Sequence, residues 1–228
     1  MTTLFITGTD TGAGKTVLAT LLTRFLRDRG VRVAALKPLC SGGRDDAVAL
    51  WTAAGKVLAL DEVNPWHFRA PLAPVLAARR ERKQVRLTKV MNHIRRVSRG
   101  FDVVVVEGAG GLLSPLGEDF ASRELIVALK ATAIIVSPSR LGAVNQIRLM
   151  LEALPARLAA RAQVVFCDLP KPDSATRTNA ALLGEFIAPK RFHRLAWLGM
   201  DAEPTGIPLR GRLRIALQNL ARCALAIR

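Results

Sequence analysis

The stretch "GTDTGAGKT", residues 8–16, decides the fold class of this chain. It follows a short apolar run at 3–7 and leads into an apolar-periodic segment at 15–30. A strand, a glycine-rich turn and a helix in this order are the setting of a phosphate-binding loop, because the turn's N–H groups and the helix N-terminus attract anions. The usual loop has four residues between its leading glycine and Gly-Lys-Thr, whereas five residues separate Gly8 from Gly14. The stretch therefore predicts a phosphate loop of unusual form.

Strand and helix patterns alternate along the rest of the chain. The predicted strands cover residues 3–7, 31–38, 102–111, 132–139, 162–170 and 191–199, and the predicted helices cover 15–30, 45–55, 87–100, 124–131, 142–154, 176–187 and 208–227. The strands are continuous apolar runs, which is typical of a parallel sheet covered on both faces. Because no repeat, low-complexity tract or linker interrupts the pattern, we expect one α/β domain over residues 1–228, with a mostly parallel sheet and helices on both faces.

The composition argues against several classes of protein. Half of the residues are apolar, but no apolar run is long enough to cross a membrane. No basic segment of the signal-peptide kind precedes the first strand. The three cysteines, Cys40, Cys167 and Cys223, are widely spaced and form neither a disulfide framework nor a zinc pattern. We therefore expect a soluble cytoplasmic protein with no membrane partner.

A strongly basic balance is the unusual bulk feature. Lys and Arg number 34 against 18 Asp and Glu, which gives a formal net charge of +16. The densest basic stretch spans residues 79–89 and lacks the interleaved aromatic side chains that stack on bases. Three interpretations stay open: a solvated basic face, which we favour, a site for acidic ligands or partners, and a nucleic-acid patch, which we favour least. The apolar residues spaced as the buried side of this segment are Val85, Leu87, Val90 and Ile94.

Residues of the loop and of two strand ends are candidates for phosphate and metal chemistry. Lys15 is placed to reach the β- and γ-phosphates of a nucleotide, and the hydroxyl of Thr16 to bind Mg²⁺. Glu107 directly follows an apolar run, and ligands of open parallel sheets sit at the carboxyl ends of strands. It is a metal or active-site residue, or alternatively a structural acid. Asp46 begins a predicted helix, where an aspartate serves as an N-cap or a ligand, and Asp45 competes for either role.

A second lysine also stands at a predicted strand end. Lys37 directly precedes Pro38, which stops the strand. Two lysines above neighbouring strands would place strong positive charge around a transferring phosphate, but exposed lysines are usually only solvated. The residues alone leave both interpretations of Lys37 open.

Five motifs in order give the chain a family resemblance. They are "GTDTGAGKT" (8–16), "LKPLCSGG" (36–43) followed by Asp46 and Ala47, "NPWHFRAPLAP" (64–74), "VVVVEGAGGLLSPL" (103–116) and "RLGAVNQI" (140–147). Together they resemble the motifs of the dethiobiotin synthetases, from about residue 4 to residue 146; the remaining third resembles the family only in its strand-and-helix pattern. The resemblance implies a single-domain P-loop NTPase fold with a deviant phosphate loop, in which Thr9 takes the place of the leading glycine.

The resemblance implies an ATP-dependent ligase that makes the ureido ring of dethiobiotin. In this family one amine of 7,8-diaminononanoate takes up CO₂ as a carbamate, and the carbamate oxygen attacks the γ-phosphate of ATP. The second amine then closes the ring and releases phosphate. The resemblance thus implies ATP as co-substrate, Mg²⁺ as cofactor, and small-molecule substrates rather than nucleic acid.

The resemblance also assigns roles to individual residues. The implied catalytic cations are Lys15 and Lys37, and the implied Mg²⁺ ligands are Thr16, Asp46 and Glu107. The implied nucleotide-binding residues are Thr11, Gly12, Ala13, Gly14, Lys15, Thr16, Val17 and Cys167. The implied substrate-binding residues are Ser41, Gly108, Ala109, Gly110, Gly111, Gly142 and Asn145. The last two would hold the distant carboxylate of the substrate across the interface of a homodimer.

Departures from the family pattern and other classes of protein bear on this interpretation. The family reads adenine with an asparagine where this chain has Cys167, so we expect a looser hold on the base. A partitioning-type ATPase that binds DNA or membrane would carry a lysine early in the loop, where this chain has Gly8, Thr9 and Asp10. A non-catalytic nucleotide-binding relative remains the other alternative. It would not need a second lysine and two carboxylates.

Overall fold

The computed structural model describes residues 1–199 and 203–225. In chain order its strands are β1 (Thr2–Gly8), β2 (Val33–Leu36), β3 (Leu39–Ser41), β4 (Trp66–Phe68), β5 (Val103–Gly111), β6 (Thr132–Pro138), β7 (Gln163–Cys167) and β8 (Phe192–Leu195). Six of them form one sheet in the order β2-β5-β1-β6-β7-β8. Every pairing in this sheet is parallel. β3 and β4 pair separately, also in parallel.

Helices cover both faces of the six-stranded sheet, as the sequence predicts. They are α1 (Lys15–Arg27), α2 (Asp45–Ala53), α3 (Leu60–Val63), α4 (Pro74–Arg80), α5 (Leu87–Val97), α6 (Ser122–Leu129), α7 (Ala143–Ala153), α8 (Ala156–Ala159), α9 (Ser174–Gly184) and α10 (Gly211–Leu225). One apolar cluster joins the sheet to α1, α2 and α10. The other joins it to α4, α5, α6, α7 and α9. Residues 226 and 227, the predicted end of the last helix, lie outside the described residues.

Strand β1 explains why the strands read as unbroken apolar runs. Leu4 and Ile6 belong to the apolar cluster on one side of the sheet, and Phe5 belongs to the cluster on the other side. All three side chains are fully buried. Since successive strand residues point to opposite faces, a sheet covered on both faces needs apolar residues at every position.

The strand register brings the candidate residues to one edge of the sheet. Leu36 pairs with Val106, so Lys37 at the end of β2 lies beside Glu107 of β5. On the other side of β5, Glu107 pairs with Ile6 of β1, the strand that leads into the phosphate loop. The carboxyl ends of these three neighbouring strands therefore form the floor of one site.

Several short elements were absent from the sequence prediction. Of the strand predicted over 31–38, residues 33–36 form β2, and the unpredicted strand β3 follows after Lys37 and Pro38. Helices α3, α4 and α8 and strand β4 also come in addition to the predicted set. Elements of three to seven residues complete at most two helical turns, so they leave too little periodicity to recognise.

The basic segment around α5 is amphipathic in the predicted way. Val85, Val90 and Ile94 are buried in the core, and Leu87 packs against it. Three of the basic residues nearby pair with exposed or half-buried carboxylates: Arg79 with Glu118, Lys83 with Glu81 and Arg96 with Glu62. Within residues 1–199 and 203–225, no helix combines the length and apolar character needed to cross a membrane.

Truncating Ile94 tests the core beneath α5. The side chain is 1% exposed, so Ile94→Ala should lower the free energy of unfolding by about 2–5 kcal/mol through lost burial and a cavity. Lys89→Ala on the exposed side of the same helix should change it by less than about 0.5 kcal/mol. Urea denaturation followed by circular dichroism measures both. Equal effects of the two substitutions would contradict this assignment of the buried face.

Candidate active site

The phosphate loop joins β1 to α1 and depends on glycine at two positions. Gly12 and Gly14 have φ values of 72° and 94°, in the left-handed region that side chains disfavour. A Cβ atom on Gly14 would also lie 3.1 Å from the Sγ atom of Cys167 at the end of β7. The backbone therefore turns tightly into the first residues of α1, and the N–H groups of a helix N-terminus are suited to bind an anion.

Lys15 lies over this loop without a carboxylate partner. Its side chain is buried at 7% exposure, and Nζ donates a hydrogen bond to the carbonyl oxygen of Asp10 at 2.8 Å. Burial lowers the pKa of Lys15, and the positive charge of Lys37 lowers it further. Among the described residues Lys15 forms no ion pair. Its ammonium group, unlike that of Lys37, is therefore available to an incoming anion.

Lys37 is buried between two carboxylates. The residue is 3% exposed, and its Nζ lies 2.5 Å from Glu107 Oε1 and 3.0 Å from Asp46 Oδ2. Nζ also donates to the carbonyl oxygen of Gly108 at 3.0 Å. Burial alone would lower the pKa of Lys37, but the two carboxylates raise it above its ordinary value. The ammonium group therefore stays charged throughout the neutral range.

Glu107 has one occupied and one unpaired oxygen. Oε1 accepts hydrogen bonds from Lys37 and, at 2.9 Å, from Thr16 Oγ1. Oε2 is buried and has no hydrogen-bond partner among the residues the structure describes. Burial raises the pKa of Glu107, against the opposing effects of Lys37 and Thr16. A buried carboxylate oxygen without a donor is a place where a cation would be favourable.

Asp46, rather than Asp45, reaches the site. Asp46 pairs with Lys37 from the first turn of α2, while Asp45 is exposed and lies off the cavity wall. Burial tends to raise the pKa of Asp46, but Lys37 lowers it more, so Asp46 remains ionised. The residues alone left these two aspartates undecided, whereas the family resemblance implied Asp46.

The oxygen atoms gathered here suit a magnesium ion. Thr16 supplies a hydroxyl, Asp46 a carboxylate, and Glu107 a carboxylate with its unpaired oxygen. Mg²⁺ typically takes one or two carboxylates together with waters and phosphate oxygens. Over the described ranges, no group of three or more His, Cys, Asp and Glu side chains forms a fuller metal site. The donor set fits an ion that is completed by its substrate.

A cavity of about 790 Å³ joins the loop, the two lysines and the two carboxylates. The predicted residues that line it are Thr11, Gly12, Gly14, Lys15, Thr16, Val17, Lys37, Ser41, Asp46, Glu107, Ala109 and Gly110. The residues that the sequence reasoning did not assign are Leu39, Cys40, Gly43, Pro71, Leu72, Ala73, Pro74, Ser114 and Pro115. Most of these are apolar or backbone-lining residues. All of them lie within the motifs at 36–43, 64–74 and 103–116, but the sequence reasoning gave them no role. Ser41 at the end of β3 contacts the segment before α4, since its hydroxyl donates a hydrogen bond to the carbonyl oxygen of Leu72 at 2.5 Å.

A smaller hollow of about 140 Å³ adjoins the phosphate loop. Ala13 and Cys167 line it, together with Asp168 and Trp197. Burial raises the pKa of the Cys167 thiol to about 12, so it stays protonated. Asp168 has one carboxylate oxygen engaged by Arg194 Nε at 2.6 Å.

Four of the predicted substrate residues lie off the cavity wall. Gly108 accepts the hydrogen bond from Lys37 through its carbonyl, and the N–H of Gly111 donates to Ser114 Oγ at 2.8 Å. Gly142 and Asn145 are exposed at the start of α7. The last two do not meet the other candidates within one chain.

Comparisons with known proteins agree with this geometry. A family model described as an AAA domain matches residues 2–198. The ATP-dependent dethiobiotin synthetase of Anaeromyxobacter dehalogenans is 38% identical over 199 residues, which cover 85% of this chain and 89% of the relative. One from another Anaeromyxobacter species is 37% identical over 220 residues, covering 94% and 98%. That of Bacillus subtilis is 34% identical over 185 residues, covering 78% and 80%.

The chain belongs to the dethiobiotin synthetase family. The resemblance inferred from the five motifs is thereby confirmed, as is the P-loop α/β fold. The similarity to dethiobiotin synthetases also extends further than the motifs indicated, because the 220-residue alignment covers most of the C-terminal third as well.

Removing the charge of Lys37 should leave the buried carboxylate of Glu107 without a partner. Lys37→Met should lower the free energy of unfolding at neutral pH by about 3–5 kcal/mol, because a buried carboxylate loses its partner. The double variant Lys37→Met/Glu107→Gln should recover most of this loss, since the fully buried charge is removed and Asp46, whose side chain is 48% exposed, keeps its contact with water. Urea denaturation of the wild type and the three variants gives the full double-mutant cycle, and a double variant no more stable than Lys37→Met would contradict it.

The loss of unfolding free energy caused by Lys37→Met should also depend on pH. Burial holds the folded-state pKa of Glu107 above its ordinary value of 4.5. The folded variant then binds a proton more readily than the unfolded chain, so stability is greatest in acid and falls as pH rises through the folded-state pKa. Unfolding at intervals between about pH 5 and pH 8 measures this trend. A deficit of constant size over that range would count against it.

Proposed function

We propose that this chain is an ATP-dependent ligase that forms the ureido ring of dethiobiotin from CO₂ and 7,8-diaminononanoate, with release of ADP and phosphate. One observation carries the proposal: the buried, charged Lys37 shares a cavity with the phosphate loop. Nucleotide binding alone does not require a second lysine held between two carboxylates. The names of the relatives, ATP-dependent dethiobiotin synthetases, support the same reaction.

Positioning and charge neutralisation are the protein's part in such a reaction. A carbamate and a triphosphate are both anions, so cations must offset their repulsion during phosphoryl transfer. Lys15 would exchange its bond to the carbonyl oxygen of Asp10 for phosphate oxygens. Lys37 would remain charged beside the carbamate, because Glu107 and Asp46 keep its pKa high. Thr16, Asp46 and Glu107 would hold Mg²⁺, which supplies further neutralisation of the phosphates when bound.

The cavity offers separate places for nucleotide and diamine. Thr11, Gly12, Gly14 and Val17 would contact ATP, whose base would occupy the hollow lined by Ala13 and Cys167. A thiol cannot supply the paired donor and acceptor of an amide, so we propose a looser hold on the base.

The diamine would lie between Ser41 and the glycine-rich end of β5. Ala109 and Gly110 line the cavity there, and Gly108 and Gly111 form the backbone around them. Gly142 and Asn145 would receive the substrate's carboxylate from a partner subunit, which makes a homodimer part of the proposal. Their exposure at the start of α7 supports this role. We propose a cytoplasmic enzyme of small molecules, with no membrane or nucleic-acid partner.

Phosphate release tests the proposed reaction directly. The purified protein is incubated with ATP, Mg²⁺ and bicarbonate, with and without 7,8-diaminononanoate. We expect phosphate release to depend on the diamine and to match dethiobiotin formed, measured by mass spectrometry. Release stimulated by DNA or lipid vesicles instead would indicate a partitioning-type ATPase, and nucleotide binding without turnover would indicate a non-catalytic relative.

Substitution of Lys37 separates turnover from nucleotide binding. Lys37→Ala should lower kcat by about 10²–10³-fold, because a charge stabiliser of the transition state is lost. The affinity for ADP, measured by calorimetry below the variant's unfolding temperature, should stay within about threefold of wild type. Lys89→Ala on α5 serves as the matched control and should keep full turnover. Survival of turnover in Lys37→Ala would disprove the role given to Lys37.

A further inference from the structure

A buried amide lies behind Lys37 and holds its backbone. Asn64 follows α3 and is 1% exposed. Its Nδ2 donates to the carbonyl oxygen of Lys37 at 2.7 Å and more weakly to that of Pro38 at 3.4 Å. The preceding residue, Val63, accepts the N–H of Lys37 at 3.0 Å. Both backbone hydrogen-bonding groups of Lys37 are therefore held by two consecutive residues.

Arg44 connects this amide to helix α2. Its Nε donates to Asn64 Oδ1 at 3.0 Å, and its Nη2 donates to the backbone carbonyl of Asn64 at 2.9 Å. The carbonyl of Arg44 itself accepts the N–H of Val48 at 3.1 Å, which begins α2. The side chain of Asn64 thus uses its oxygen toward Arg44 and its NH₂ group toward Lys37, and a flip of the amide would break both contacts.

These contacts close a ring around the Lys37–Asp46 ion pair. Asp46 lies in the first turn of α2, two residues after Arg44, and its Oδ2 meets Lys37 Nζ at 3.0 Å. The connection from β3 to Arg44 runs through Gly42 and Gly43, and Gly42 has φ of 84°. Gly42 is held by Phe68, whose carbonyl oxygen accepts its N–H at 3.0 Å, and by His67, whose Nε2 lies 2.9 Å from its carbonyl oxygen. Gly43 is exposed, and glycine leaves the backbone there conformationally free; a lysine side chain has four flexible carbons. The path through Asn64 and Arg44 is therefore a direct fixed link between the backbone of Lys37 and the start of α2.

We propose that Asn64 and Arg44 are positioning residues that fix Lys37 and Asp46 relative to each other for phosphoryl transfer. The inference rests on the proposed function, because it assigns the consequence to turnover. Neither residue lines the cavity, so their effect must pass through the ion pair. Loss of either contact should therefore lower kcat and leave the phosphate loop, and with it ATP binding, in place.

Two substitutions break the hydrogen-bonded path between Lys37 and α2, one at Asn64 and one at Arg44. Asn64→Asp keeps the size and the oxygen toward Arg44 but replaces the donor to the Lys37 carbonyl by an oxygen. Arg44→Gln removes the guanidinium fork and leaves Asn64 intact. Each should lower kcat by about 10- to 100-fold, the effect of displacing a reacting group by a fraction of its contact distance. The KM for ATP should stay within about threefold.

Gln163 provides a matched control for Asn64. It is 4% exposed, its Nε2 donates to the carbonyl oxygen of Arg161 at 3.0 Å, and its Oε1 lies 3.0 Å from His193 Nε2. It begins β7, at the amino end of the sheet and opposite the site. Gln163→Glu is the same amide-to-carboxylate change in a buried position. It should lower the unfolding temperature as Asn64→Asp does but leave kcat unchanged.

A crystal structure of Asn64→Asp supplies a readout independent of turnover. We expect the Lys37 Nζ–Asp46 Oδ2 distance to exceed about 4 Å, the limit of an ion pair. A pair that keeps its wild-type distance, or a kcat equal to that of Gln163→Glu, would overturn the proposal. Wild-type protein that shows no diamine-dependent turnover would instead refute the proposed function, and the distance in the variant would then decide the positioning role alone.

Discussion

A buried ammonium group requires negative partners, and the site of this protein is arranged around that requirement. Removing the Lys37 ammonium from water costs several kcal/mol unless oxygens replace its hydration. Glu107 of β5, Asp46 of α2 and the carbonyl of Gly108 supply them. Glu107 and Gly108 are about 70 residues from Lys37 in sequence, and the parallel pairing of β2 with β5 brings them to it. Asp46 reaches the same ammonium group from the first turn of α2. The ion cluster thus depends on the sheet register, and every feature of the cavity is placed relative to it.

The two lysines of the cavity differ because their partners differ. Lys37 is held by two carboxylates and has a raised pKa, whereas Lys15 has only the carbonyl of Asp10 and a lowered one. A lysine with no carboxylate to give up binds an incoming anion at lower cost. Lys15 is therefore suited to accept phosphate oxygens, and Lys37 to keep a fixed charge beside them. The Coulomb repulsion between the two ammonium groups also favours the arrival of an anion.

The sequence could predict what its patterns encode locally and failed where the structure depends on contacts across the chain. The continuous apolar strands and the loop at 8–16 were sufficient for the α/β fold and for Lys15 and Thr16. The strand-end rule pointed to Glu107, which lines the cavity. No rule of spacing could choose Asp46 over Asp45, because that choice depends on which turn of α2 faces Lys37. Asn64 begins the motif at 64–74 but was assigned no role, since a buried asparagine acquires its role only from the backbone that it meets.

The excess positive charge and the charge of the site are separate quantities. The cavity is lined by two lysines and two carboxylates, whose formal charges cancel, whereas the whole chain carries +16. The excess therefore lies outside the cavity wall. Charges on an exposed surface raise the local concentration of anions and speed their encounter, but salt screens them beyond about 8–10 Å. In the proposed function, affinity for a triphosphate would then come from the loop N–H groups and from Lys15, which burial shields from salt. In the proposed reaction the basic surface would act on association rates, and the buried cluster would act on binding and on the transition state.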